Sequence, residues 1–179
     1  EITDIPLIEY TASKGKPIII STGISTKDDI QLAIETCHSV GNYQVIILKC
    51  TSAYPTPLDE VNLKMILDIQ NKFDCLVGLS DHTMGSIVPI GSVALGGKVI
   101  EKHFILDRGL GGPDASFSMN PAEFKEMVDS VRDLEKTLGI VSYELTEKII
   151  NNKIFSRSLF VIKDVKRGTV ISKDNIRSI

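Results

Sequence analysis

Four short runs of β-branched and aliphatic residues constrain this chain more than any other feature. Each closes on a polar cluster and leads into a segment of helical periodicity. They are residues 16–23 (Lys-Pro-Ile-Ile-Ile-Ser-Thr-Gly), 45–51 (Val-Ile-Ile-Leu-Lys-Cys-Thr), 76–80 (Leu-Val-Gly-Leu-Ser) and 97–104 (Gly-Lys-Val-Ile-Glu-Lys-His-Phe). Such runs scarcely alternate apolar with polar, so both faces of each strand are expected to be covered, as in a parallel sheet flanked by helices.

The intervening segments fit crossover helices. Thr26 is placed to cap the first, with Asp29 as the capping-box acid; Ile30, Ala33, Ile34, Cys37 and Val40 make its stripe, and Gly41 suits its end. A second is expected from about residue 59, turning Leu63, Ile66, Ile69 and Phe73 inward, and a short small-residue helix over 87–95. The clearest is capped by Asn120, with Pro121 at its first position and Glu123 three residues after the cap. Phe124, Met127, Val131 and Leu134 form its apolar stripe and Gly139 ends it.

Four strand–helix units joined by right-handed crossovers make half of a (β/α)8 barrel, and the expected fold class is α/β. A half barrel leaves two sheet edges unpaired, so the other units are expected before Glu1. The chain opens Glu1-Ile-Thr-Asp-Ile-Pro, without an initiator Met, and reads as one that begins mid-protein. The alternative, a small doubly wound sheet, lacks support, because no Gly-x-Gly-x-x-Gly fingerprint follows any strand. Residues 1–140 thus form a partial barrel domain, and residues 141–157 a charged linker. Residues 158–179 begin a β-rich domain, with two short strands about a turn at Lys166-Arg167-Gly168.

Composition excludes several partners. A net charge of −3 gives no electrostatic basis for binding nucleic acid or an anionic membrane. No apolar run approaches the roughly 20 residues of a spanning helix. Cys37, Cys50 and Cys75 sit in apolar patterns without a CxxC spacing, which fits reduced thiols and a cytoplasmic location.

The polar exceptions in the strands fall at one end. They are Ser21 and Thr22, then Thr51 and Ser52, then Ser80 and His82, then Glu101 and His103. In a barrel that end gathers the active site. Strand alternation puts Ser80 and His82 on one face, and Glu101 and His103 on one face of the next strand. Two histidines with a carboxylate one layer below suit a divalent metal; the alternative is an ordinary pair of half-buried imidazoles. The hydroxyls suit an anionic ligand, most simply a phosphate, or serve as helix caps. Tyr54 suits a sugar face or loop packing, and Asp114 a polar ligand or a turn. Asp81 points away from His82 by alternation and is expected to cap or support. His38 reads as a surface side chain, and the basic residues of 163–173, interrupted by Asp164 and Asp174, as a solvated face.

The runs Ser21-Thr-Gly23, Lys49-Cys-Thr-Ser-Ala-Tyr-Pro-Thr-Pro57, Gly78-Leu-Ser-Asp-His-Thr83, Glu101-Lys-His-Phe104 and Gly112-Pro-Asp114 resemble the sialic acid synthase family, in order and spacing. Its members condense phosphoenolpyruvate with an N-acylated amino sugar. The resemblance implies a metal, usually manganese with magnesium or cobalt as alternatives, on His82 and His103. It implies phosphate contacts at Ser21, Ser52 and Ser80, and sugar contacts at Tyr54 and Asp114. Glu1 matches an acid near the reacting centre, and Glu1 or Glu101 would handle the water. The segment from about Arg157 resembles the start of the antifreeze-like domain, and family members are commonly domain-swapped homodimers. Neuraminate synthases commonly have Asn where Ser52 stands. Cys50-Thr-Ser-Ala-Tyr-Pro55 and Ser116-Phe-Ser118 look more like the pseudaminic acid branch, with the neuraminate and legionaminate branches as alternatives. A metal-dependent aldolase and a non-catalytic binding module with an antifreeze-like tail are the other classes.

Overall fold

The computed structural model describes all 179 residues. Strands β1 (Ile18–Ser21), β2 (Val45–Cys50), β3 (Leu76–Asp81) and β4 (Ile100–Lys102) form one parallel sheet in the order β1-β2-β3-β4. Helices α2 (Lys27–Ser39), α3 (Met65–Phe73) and α4 (Ile87–Ala94) cross between them, and α5 (Pro121–Leu138) follows β4. The strand order never reverses, so right-handed crossovers bring every helix to the same face. A doubly wound sheet reverses its order and has helices on both faces. The winding is that of half a barrel.

The core lies between the sheet and its helices. Ile47, Cys37, Ile66, Ile69 and Val77 are fully or almost fully buried there. Both predicted capping boxes form, Thr26 with Asp29 on α2 and Asn120 with Glu123 on α5. Gly78 has a packing reason: a Cβ there would stand 2.3 Å from the carbonyl oxygen of Val99. Only glycine lets β3 and the chain entering β4 approach so closely.

Three local expectations change. The helix expected from about residue 59 is a 3-10 turn over Leu58–Glu60 followed by α3 from Met65. Asn62, at φ 51°, interrupts helical geometry between them. The run 97–104 holds only three residues of regular strand. Hydrogen bonds extend it on both sides, from Lys98 N–H to the Val77 carbonyl (2.7 Å) and from Met119 N–H to the His103 carbonyl (2.9 Å). Sequence reading also passed over α1 (Ile5–Ala12), which Asp4 caps through Leu7 N–H at 3.2 Å and which has Pro6 in its first turn.

The chain divides into two compact units, Glu1–Gly139 and Ile140–Ile179. In the second, α6 (Glu147–Asn152) precedes β5 (Leu159–Val161), which pairs antiparallel with β6 (Ile176–Ser178). The turn at 166–168 forms, with Gly168 at φ 89°, but the strand it was expected to lead into lies further on, at β6. Asn175 explains the shift: its side chain accepts from Ser172 N–H (2.9 Å) and donates to the Val170 carbonyl (2.9 Å), which curls the intervening chain into turns. No helix is long and apolar enough to cross a membrane.

Candidate active site

Eight of the nine singled-out residues line one open cleft of about 740 Å³ at the C-terminal ends of the strands. Glu1 enters from ahead of α1; Ser21 ends β1; Ser52 and Tyr54 follow β2; Ser80, His82, Glu101 and His103 come from the ends of β3 and β4. The ninth, Asp114, is on the loop after β4, with its Oδ2 3.6 Å from His103 Nδ1.

The histidine side of the cleft is bonded together. Ser80 and Glu101 stand opposite each other in the β3–β4 register, and the Ser80 hydroxyl donates to Glu101 Oε1 at 2.6 Å. His82 is buried, with Nδ1 2.9 Å from the carbonyl oxygen of Thr51. A carbonyl only accepts, so Nδ1 carries the hydrogen and the Nε2 lone pair remains available. The rings of His82 and His103 lie 5.1 Å apart edge to face, with the Tyr54 ring 4.2 Å from the first. Phe117, which sequence reading missed, packs 4.9 Å from His103. It lies in the Ser116-Phe-Ser118 run already marked by resemblance, but in a loop without periodicity nothing in the sequence placed it at the site.

The hydroxyl side is organised through backbone. Thr22 is buried; its Oγ1 donates to the Leu48 carbonyl (3.1 Å) and accepts from Cys50 N–H (3.2 Å), stitching the end of β1 to β2. Gly23 leaves room for the Ser52 hydroxyl: a Cβ there would stand 2.1 Å from Ser52 Oγ and would displace it. The loop after β2 is tied to β3 by Thr56 N–H, which donates to the His82 carbonyl at 3.0 Å.

A buried polar layer backs the cleft. Asp81 faces away from it, as alternation requires, and pairs with Lys102 at 2.6 Å. Lys49 is buried in the same layer without a carboxylate, donating to the Cys50 carbonyl and Thr51 Oγ1. Burial holds its ammonium below the ordinary lysine range, because the charged form loses water. On the far side of the loop after β4, Arg108 holds Glu123 and the Ser118 carbonyl, fastening that loop to the start of α5. The third histidine, His38, is on α2 beside Tyr43.

Known proteins resemble this chain over its whole length. It is 44% identical over 179 residues to a pseudaminic acid synthase of Campylobacter jejuni, covering all of this chain and 52% of that protein. It is 42% identical over 180 residues to a pseudaminic acid synthase of Helicobacter pylori, covering all of this chain and 53% of that protein. The crystal structure of an N-acetylneuraminic acid (sialic acid) synthetase from Leptospira borgpetersenii, in complex with citrate, superposes with a TM-score of 0.78 at 30% identity. That match covers 86% of this chain and 54% of the other. The chain spans about half the length of the curated relatives it matches. Residues 1–143 match the NeuB family, and the chain belongs to that family.

Proposed function

We propose that the protein carrying this chain condenses phosphoenolpyruvate with an N-acylated amino sugar and releases phosphate. The sugar proposed is the 2,4-diacetamido-trideoxy hexose of the pseudaminic acid branch. The observation that carries the reading is the convergence of Ser21, Ser52, Ser80, His82, Glu101 and His103, from four successive strands, on one cleft. Identity of 44% to a pseudaminic acid synthase supports the choice of branch. Residues 1–139 would be the C-terminal half of a barrel and the β5–β6 hairpin the opening of an antifreeze-like domain, in a cytoplasmic, domain-swapped dimer.

The donor set fits a divalent metal in part. His82 keeps Nε2 free because Thr51 holds its other nitrogen. No three His, Cys, Asp or Glu side chains converge into a complete set. The two imidazoles would therefore be its protein ligands, with water and substrate oxygens completing the shell. Manganese is the proposed ion, with magnesium or cobalt as alternatives. When bound, it supplies Lewis-acid polarisation of the sugar's aldehyde oxygen.

The chain's own groups account for the rest. Ser21 and Ser52 present hydroxyls to the phosphate, and Ser80 joins them by turning its proton from Glu101. The Tyr54 ring and Asp114 hold the sugar beside His103. In the reaction, the methylene carbon of phosphoenolpyruvate bonds to the aldehyde carbon, whose oxygen takes a proton. Water adds to the resulting cationic carbon; its C–O bond to phosphate then breaks as the new hydroxyl gives its proton to the departing phosphate, leaving the 2-keto acid and inorganic phosphate. Glu101, released when the Ser80 hydroxyl turns to the phosphate, accepts a proton from that water; Glu1 is the second candidate for this role.

The test is phosphate release from phosphoenolpyruvate by the full-length protein with manganese, in parallel with the diacetamido sugar and with N-acetylmannosamine. Release with the diacetamido sugar alone is expected. Release with N-acetylmannosamine alone would move the protein to the neuraminate branch, and release with neither would overturn the proposal.

A further inference from the structure

Asp81 and Lys102 immediately precede His82 and His103, and each lies across the strand from the histidine that follows it. Their side chains are 2% and 1% exposed, and they face each other in the β3–β4 register. Lys102 Nζ donates to Asp81 Oδ2 at 2.6 Å and to the Thr83 carbonyl at 2.6 Å. Asp81 in turn accepts from Thr83 N–H at 3.0 Å through Oδ1, and from the Thr83 hydroxyl at 3.2 Å through Oδ2. One β4 side chain therefore holds the residues on both sides of His82, at the point where the sheet ladder ends. Every buried side-chain polar atom has a partner.

A buried ion pair is a weak source of stability, because desolvation offsets its attraction, and an apolar pair of similar volume often does as well. What an apolar pair lacks is fixed distance and direction. The site needs both: its two imidazoles come from different strands, and β4 has only three regular residues to keep them in register. We infer that Asp81 and Lys102 are a positioning pair that sets the separation of His82 and His103 from behind the cleft. The inference rests on the proposed metal reading of those histidines.

The test measures manganese affinity in the full-length protein from the spin-resonance signal of free ion, with no turnover involved. The key variant is the double replacement Asp81→Leu/Lys102→Met, which removes both charges together and with them the partners of the buried Thr83 N–H, hydroxyl and carbonyl. It is expected to unfold cooperatively at a lower temperature than the wild type, because Thr83 loses its buried partners, and when folded to bind manganese about 10- to 100-fold more weakly, the usual loss when a ligand's outer support is removed. Wild-type affinity in the folded double variant overturns the positioning role. If the double variant does not fold, Asp81→Asn is scored the same way; it keeps an amide oxygen for Thr83 N–H but holds no charge for Lys102. His82→Ala separates the two levels of the claim. Abolished binding there, with unchanged affinity in the clamp variants, sinks the positioning role alone. Absence of manganese binding by the wild type sinks the metal reading and this inference with it.

Discussion

At the ends of β1 and β2 the cleft presents Ser21 and Ser52, whose hydroxyls take no part in the network beside them. At the ends of β3 and β4 it presents Ser80 and Glu101 bonded at 2.6 Å, and His82 held through Nδ1. The polar layer behind repeats the contrast: Lys102 has a carboxylate partner and Lys49 has none. The histidine half is thus preset by side chains that fix one another. The hydroxyl half is set by backbone, through the Thr22 stitch and the close approach of Gly23, and leaves its donors for a ligand. A site built this way fixes the His82 imidazole before a ligand arrives and leaves the Ser21 and Ser52 hydroxyls for what binds.

The largest test of the contrast applies one substitution to both lysines. Lys102→Met leaves Asp81 charged and buried without its counter-ion, and should cost about 3–5 kcal/mol in urea unfolding. Lys49→Met removes a buried charge that has no carboxylate, and should cost under about 1 kcal/mol or stabilise. If both cost the same, the two halves do not differ. His82→Ala should next lower manganese-dependent kcat/KM by more than about 100-fold, since losing a ligand exceeds the loss of an outer partner.

Smaller effects fall on the hydroxyl half. Gly23→Ala puts a Cβ against Ser52 Oγ and turns that hydroxyl from its place. One hydrogen bond is worth about 1 kcal/mol, so KM for phosphoenolpyruvate should rise roughly five- to tenfold with kcat little changed. The smallest effect is in pH. Lys49 has a folded pKa below its ordinary 10.5, so the unfolded chain binds more protons between the two values. Stability from this group therefore rises with pH across that alkaline window, and its cost is fully present below it. Lys49→Met should lack this rise when unfolding is followed across that range; an identical profile contradicts the shift.

How much was legible follows the same division. Alternation along β3 and β4 placed Ser80, His82, Glu101 and His103 together, and it sent Asp81 to the far face. Both capping boxes could be read because their partners lie three residues apart in sequence. Long-range pairings could not. Nothing local says that Lys102 reaches Thr83, that the Thr51 carbonyl fixes a histidine 31 residues on, or that Phe117 comes to rest beside His103. Helix α1 is signalled at its start by Asp4 and Pro6, but its eight residues bury only Ile8 and Ala12, too short a stripe to mark a helix by periodicity. The start of α3 was misplaced because left-handed geometry at Asn62 has no strong sequence mark.

The central claim, that His82 and His103 form one divalent-metal site, has an internal control in His38 on α2. The direct measurement is the imidazole NMR spectrum of the full-length protein during addition of substoichiometric manganese. The account predicts that His82 starts as the Nδ1–H tautomer, that the ring signals of His82 and His103 broaden together, and that His38 stays sharp. Equal broadening of all three, or no selective effect on the strand-end pair, would contradict it.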